Sequence, residues 1–414
     1  MSPSKLILVF FTYLFCICPS LSYETIPHRF KSLPSFLSSS SLSSSIQNFN
    51  VRYFGARNDG KTDATKAFLN AWDSACNSRV PSIIYVPKGN YLLGPLKFEG
   101  ISCRSPIMFQ IDGTLIADLN IVSRYQTWII FHEVHGLTIK GGVLNAKGID
   151  LWNCKAAHQN CPKGATSLSF DNSQNIIVDG LTSVDSQMYH ITLNACQRTT
   201  IQRITILADG NSPNTDGIHI ERSTGIQILN SSIKTGDDCI SIGLNNQHIW
   251  IEGVSCGPGH GISIGSLGRE SDEGVVVEDV TVKSVTFKGT ENGFRIKTFS
   301  TPIRGKVKNI NFIGAYMDNV LIPIIIDQNY CPHNTCPSGQ GSGIQISNVV
   351  FSSIHGTSAS DKALTLDCSS RFPCVGLTLH NINLNYQSNI PKCQHQNAFG
   401  KILGYMQPPH CLIQ

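Results

Sequence analysis

The stretch "GIQILNSSIKTGDDCISIG", Gly225–Gly243, alternates apolar and polar residues around two adjacent aspartates. Ile226, Ile228, Ile233, Ile240 and Ile242 keep a strand rhythm, in which successive side chains face opposite sides. From about residue 135 similar short runs recur: "GLTIKG", "NIIVDG", "TIQRITI", "HIWIEG", "NINFIG", "IQISNVVF" and "GLTLHNINL". Asn175, Thr200, Gly225 and His248 open successive runs, at intervals of 25, 25 and 23. A period of this size marks a solenoid. Short strands with no helical pattern between them make it a β-helix, each turn advancing by one strand spacing, about 4.8 Å. A β-sandwich leaves the constant period unexplained. Upstream, "KTDATKAFLNAWDSAC" places Ala67, Trp72 and Ala75 at helical spacing, which predicts a short N-terminal helix covering the open end of the solenoid.

Polar clusters recur with the same period. "NTDG" spans Asn214–Gly217, "GDD" Gly236–Asp238, "GHG" Gly259–Gly261 and "RIKT" Arg295–Thr298. Asp216 and Asp238 are 22 residues apart, as are Asp238 and His260, close to one turn each. The spacing therefore predicts one ridge carrying Asp216, the Asp237/Asp238 pair and His260. Arg295 and Lys297 are expected one turn later, on the same face as each other, with the 35-residue interval absorbing a loop and Ile296 turned inward.

Parity creates a conflict. Asp216, Asp238 and His260 share parity with Ile218, Ile240 and Ile262, so straight strands would aim all three into the core at several kcal/mol per uncompensated charge. A bend before each strand resolves this, with Gly217, Cys239 and Gly261 next in line and glycine freeing the backbone. Both aspartates are then expected at the outer surface. Clustered carboxylates cannot all ionise freely, so at least one is expected to keep its proton. A protonated acid beside ionised partners suits glycoside hydrolysis, and a neighbouring Arg and Lys suit an anionic sugar. Each motif alone reads as an ordinary turn or solvated strand; four in order at the repeat spacing do not.

These motifs together resemble the signature of the polygalacturonases, glycoside hydrolase family 28, and "GDDCISIG" with "RNDGKTDATKAFLNAW" resembles its plant members. The resemblance runs from about Val51 to near the C-terminus. It implies an all-β, right-handed, single-stranded parallel β-helix of about ten turns and inverting hydrolysis of α-1,4 bonds in homogalacturonan, the polygalacturonate of pectin. It also implies Asp237 as general acid, Asp216 and Asp238 as holders of the water, His260 as support for the acid, and Arg295, Lys297, Tyr330 and Asn214 as substrate contacts. No cofactor or metal is expected. Related hydrolases of xylogalacturonan or rhamnogalacturonan, a calcium-dependent lyase, and an inactive wall-binding β-helix are the rivals. The intact "RIKT" disfavours the rhamnogalacturonan version, and the aspartate cluster disfavours the lyase and the inactive reading.

The rest of the chain fits an extracellular setting. Residues 1–22, with Lys5 before the apolar run Leu6–Cys18 and small residues at Ser20 and Ser22, read as a signal peptide; 23–47 is a Ser-rich leader, and 48–414 is the catalytic domain. The chain is expected to be secreted to the cell wall, monomeric, and free of the membrane once the signal is removed. Charged residues are 14% and the net charge is +4 with no basic block, which argues against nucleic acid. Of 15 cysteines, Cys16 and Cys18 leave with the signal. The natural disulfide pairs are Cys76–Cys103, Cys154–Cys161, Cys239–Cys256, Cys331–Cys336, Cys368–Cys374 and Cys393–Cys411, with Cys196 a buried free thiol. The final "CLIQ" mimics a prenylation signal, which secretion precludes. "HEVH", residues 132–135, lacks the zinc-protease spacing. Asn230 opens the single N-x-S/T sequon.

Overall fold

The computed structural model describes residues 46–118, 122, 124–269, 274–332 and 341–413. The expected signal peptide and nearly all of the leader lie outside the described residues. Gln47, assigned to the leader, already belongs to the first strand, Gln47–Asn50.

The chain winds as a right-handed parallel β-helix with two parallel sheets. Among the described residues one has eleven strands, from Leu96–Glu99 to Lys392–Gln396, one per turn where about ten were expected. The other has 21 described strands, two per turn in the middle of the solenoid. Inside, like residues stack on like. Ile218, Ile240 and Ile262 pair in register with Phe294 on the next turn, and Leu193, Ile220, Ile242, Ile264 and Ile296 form a second ladder. All of these are fully buried. Burying each such side chain contributes up to about 1.5–3 kcal/mol, which is why the β-branched repeat fixes the register.

The strand partner that matches Asn175 is Arg198, not Thr200, because Gln174 pairs with Gln197 and Ile176 with Thr199. Asn175, Arg198, Gly225 and His248 all have positive φ and mark equivalent corners, so the steps are 198 − 175 = 23, 225 − 198 = 27 and 248 − 225 = 23. The longer step holds the loop that presents Asn214.

The predicted helix is present as Thr65–Asn77. Its buried face, Phe68, Ala71, Trp72 and Ala75, covers the first turns. The Trp72 ring lies 5.0 Å from that of Phe98, and its Nε1 donates to the Glu99 carbonyl at 2.9 Å. A second helix, Gly148–Ala156, was not expected; it fills an inserted loop closed by Cys154–Cys161. The other pairs described, Cys76–Cys103, Cys239–Cys256, Cys368–Cys374 and Cys393–Cys411, follow the sequence reading, and Cys196 is free and buried. Cys331 is disulfide-bonded, and its expected partner Cys336 lies outside the described residues. Among the described residues no helix is long and apolar enough to cross a membrane.

Candidate active site

The outer face of the eleven-stranded sheet carries a cleft across its middle turns. Its floor comes from residues that sit at or just before successive strands. Asp216 precedes the strand Ile218–Glu221 by two residues, Asp238 precedes Ile240–Ile242, and His260 precedes Ile262–Leu267. Each lies in the irregular backbone ahead of its strand, as the parity conflict requires. Only one of the two glycines is needed for its backbone freedom. Gly261 has φ +90 and no room for a Cβ, which would meet the Asn292 carbonyl oxygen at 2.2 Å. Gly217 is needed for space rather than for a left-handed φ: a Cβ there would meet the Cys239 carbonyl oxygen at 2.5 Å.

The bends do not bring Asp216 and Asp238 to the outer surface. Asp216 is 7% exposed and Asp238 only 1%. Both line the cleft from below together with the more exposed Asp237. Asp238 escapes the cost of burial by pairing. Arg295 Nη2 donates to its Oδ1 at 2.5 Å, Lys297 Nζ to its Oδ2 at 2.8 Å, and Ser263 Oγ to its Oδ1 at 2.8 Å. Arg295 also departs from the expected ridge. The residue that follows His260 one turn on is Asn292, because Ile262 pairs with Phe294; Arg295 sits opposite Ser263 and reaches back two turns. Ile296 is buried in the core as expected, yet Arg295 and Lys297 are also buried, at 7% each, in the cleft wall.

The electrostatics divide the three carboxyls. Burial drives the Asp216 pKa up to about 7, with the Asp237 and Asp238 charges adding to it, while Ser241 Oγ donates to its Oδ2 at 2.6 Å. Burial pushes Asp238 the same way, but the Arg295 and Lys297 charges overcome it and hold the carboxyl down at about 2. His260 Nδ1 lies 3.1 Å from Asp237 Oδ1, and this bond raises the imidazole pKa against the effect of burial. Its other nitrogen, Nε2, faces Glu291 Oε2 at 3.4 Å. One ligand atom each from Asp237, Asp238 and His260 lies within 4.8 Å of the other two. The trio is a poor cation site all the same, since both oxygens of Asp238 already accept from cations.

Asn214, Tyr330 and Lys297 line the same cleft, the Lys297 ammonium 5.3 Å from the centre of the Tyr330 ring. All the site residues expected from the sequence are therefore brought together. Several others were missed. Tyr189 stands two residues before the strand Ile191–Asn194, as Asp216 does before the next, and its ring stacks on His219 at 4.9 Å. The rule that found Asp216 would have found Tyr189 had it been extended one turn. Glu291 and Arg269 carry no motif; only their neighbours in space mark them.

The profile of glycosyl hydrolases family 28 matches residues 76–401. The chain belongs to this family. A profile described as rhamnogalacturonase A/epimerase, pectate lyase-like, matches residues 48–101. A polygalacturonase of Prunus persica is 49% identical over 380 residues, 91% of this chain and 96% of that protein. An exopolygalacturonase of Platanus acerifolia is 42% identical over 345 residues, 82% of this chain and 90% of that protein. The crystal structure of an endo-xylogalacturonan hydrolase from Aspergillus tubingensis superposes with a TM-score of 0.72 at 22% identity, covering 89% and 98% of the two chains. That likeness concerns the fold.

Proposed function

We propose that this family 28 chain is a secreted hydrolase of α-1,4-galacturonosyl bonds in the homogalacturonan of pectin, acting by inversion in the plant cell wall. The observation that carries the reading is the divided carboxyl cluster: one acid held ionised by two cations, one pushed toward its protonated form, and a third exposed to the cleft beside a histidine. Relatives named polygalacturonases at 49% and 42% identity support the substrate.

In this mechanism Asp237, the most open of the three, donates its proton to the leaving oxygen. His260, bonded to its Oδ1, holds the carboxyl in place. Asp238, ionised by Arg295 and Lys297, deprotonates the water on the other face of the sugar, and Asp216 helps to hold that water in place. Substrate carboxylates are drawn to the residual positive charge of Arg295 and Lys297, and Asn214 and Tyr330 bound the sugar. A second reading, with Asp216 as the acid, is favoured by its raised pKa.

The experiment is proton NMR of the purified protein with polygalacturonate. Inversion gives the β-anomer first at the new reducing end. Initial release of the α-anomer overturns the inverting assignment, and absence of new reducing ends overturns the substrate. The same time course separates internal cleavage, which yields mid-length oligomers early, from release of monomer or dimer alone.

A further inference from the structure

The cleft repeats one construction on successive turns. Asp238 accepts at Oδ1 from Ser263 Oγ, and Ser263 in turn accepts from Arg295 Nε at 2.9 Å. Asp216 accepts at Oδ2 from Ser241 Oγ, and His219 Nδ1 lies 2.7 Å from the same Ser241 Oγ. His219 pairs in register with Ser241, and Ser241 with Ser263, so all three belong to one row of the sheet. Each serine stands 25 residues after its aspartate. At Asp238 the chain of bonds ends on a permanent cation; at Asp216 it ends on a histidine.

The directions of the bonds fix the charge of that histidine. Ser241 has one hydroxyl proton and gives it to Asp216, so its bond to His219 requires a proton on Nδ1. Glu221 Oε1 lies 3.2 Å from Nε2. The Glu221 pKa is lowered, chiefly by this bond, so the carboxylate only accepts and Nε2 also carries a proton. A ring protonated on both nitrogens is an imidazolium. Arg222 Nη1 holds the other Glu221 oxygen at 2.8 Å. The Tyr189 ring stacks on the imidazole at 4.9 Å, and an aromatic face favours a cation.

The titratable and charged groups around His219 are Tyr189 from the turn before, Asp216 and Glu221 from its own, and Asp237 and Asp238 from the turn after; Arg269 and Lys297 also line the cleft. Burial, with the Asp237 and Asp238 charges, raises the Asp216 pKa, while His219 and the Ser241 hydroxyl pull it down.

We propose that His219 is a positioning residue: an imidazolium, held by Glu221, that acts through Ser241 to favour the ionised form of Asp216, the form that accepts a hydrogen bond from the water. Its part in catalysis rests on the galacturonan hydrolysis; its charge does not. Arg295 supports Asp238 permanently, whereas His219 supports Asp216 only while it keeps its own proton.

The test is a carbon-13 titration of the full chain labelled at aspartate carboxyls, with Asp216 assigned by its loss in Asp216→Asn and each variant checked for an unchanged melting midpoint. His219→Gln keeps a donor to Ser241 but removes the charge, and should raise the Asp216 titration by roughly one unit or more. Ser241→Ala should raise it too, and His219→Lys should raise it less than His219→Gln. On polygalacturonate, the kcat loss of His219→Gln should be largest in the pH interval between the parent and variant titrations and should exceed any rise in KM. An Asp216 titration unmoved in His219→Gln or Ser241→Ala, moved equally by Gln and Lys, or a kcat loss of one size at every pH overturns the proposal. The parent supplies a check that needs no variant. Near pH 6, below the ordinary histidine pKa of about 6.5, nitrogen-15 shifts should show His219 protonated on both nitrogens, and a neutral ring overturns the proposal. Absence of new reducing ends from the parent would overturn the hydrolysis and leave the titrations to decide the charge of His219.

Discussion

Asp238 Oδ2 accepts from Lys297 Nζ at 2.8 Å, although the two residues are 59 positions and two turns apart. One turn of the solenoid thus holds its carboxylate ionised by the cations of a later turn. Asp238 has a depressed pKa, so the pairing stabilises the fold above the ordinary carboxylate pKa, about 3.9, and that stability is lost as pH falls through about 2. Lys297→Met is expected to lower stability by up to about 3–5 kcal/mol, less where Arg295 still pairs with Asp238. It should also bring the acid limb of the kcat–pH profile up from about pH 2 toward the usual carboxylate range, since losing a cationic neighbour raises an aspartate by roughly 1–3 units. A limb that stays put would show that Arg295 alone ionises Asp238.

Asp216 runs the opposite way. Its pKa is raised to about 7, so it favours the fold below the ordinary carboxylate pKa, and that contribution is lost as pH rises through about 7. Asp216→Asn removes the cost of ionising a buried acid. The variant should gain stability relative to the parent at pH 8 compared with pH 4, by a few kcal/mol at most. Urea midpoints at the two pH values measure this. A difference independent of pH means that Asp216 ionises without penalty.

His260 is held from both sides, by Asp237 at Nδ1 and Glu291 at Nε2. Both acids favour imidazolium, and its pKa is raised. Glu291→Gln keeps an oxygen to accept from Nε2 but removes the charge. It should move the His260 titration, followed by NMR, and the basic limb of kcat to lower pH, while KM changes little. Loss of activity with an unshifted profile would instead make Glu291 a substrate contact.

Cys239 follows Asp238 directly and is tied to Cys256, closing a 17-residue separation, while Cys393–Cys411 closes 18 at the far end of the solenoid. Chain entropy assigns each about 3 kcal/mol. Replacing either pair with serine should therefore cost similar stability by thermal melting. Only the Cys239–Cys256 variant should also lose kcat at a temperature where both remain folded, because it alone releases the bend carrying Asp237 and Asp238. Equal kcat in the two variants would mean that the turn above holds the bend unaided.

The ladder of isoleucines was legible because a period near 22 leaves the same residue type at the same corner, and Asp216, Asp238 and His260 inherit that register. What was not legible is whatever crosses turns. The sequence places Arg295 35 residues after His260, but the turn there has 32, so the ion pair to Asp238 follows from packing and not from period. The shift from Thr200 to Arg198 had the same cause: the apolar run "TIQRITI" starts inside its strand, and the corner is set by positive φ, which arginine does not announce. Burial of Asp238 was hidden because parity shows which face a residue takes, not whether later side chains will roof it.

The final prediction separates the two candidate acids. Loss of a general acid hurts most when the leaving group is a poor one, and loss of a general base is repaired by a small external nucleophile. If Asp237 is the acid, Asp237→Asn should lose a factor of roughly 10²–10⁴ on polygalacturonate and much less on an aryl galacturonide with an acidic phenol. Asp216→Asn and Asp238→Asn should be impaired on both substrates and partly restored by azide, with formation of the inverted glycosyl azide. The swapped pattern, an aryl substrate sparing Asp216→Asn and azide restoring Asp237→Asn, would make Asp216 the acid. In that case the carboxyl that burial keeps protonated in the free cleft is also the one that gives up its proton in the reaction.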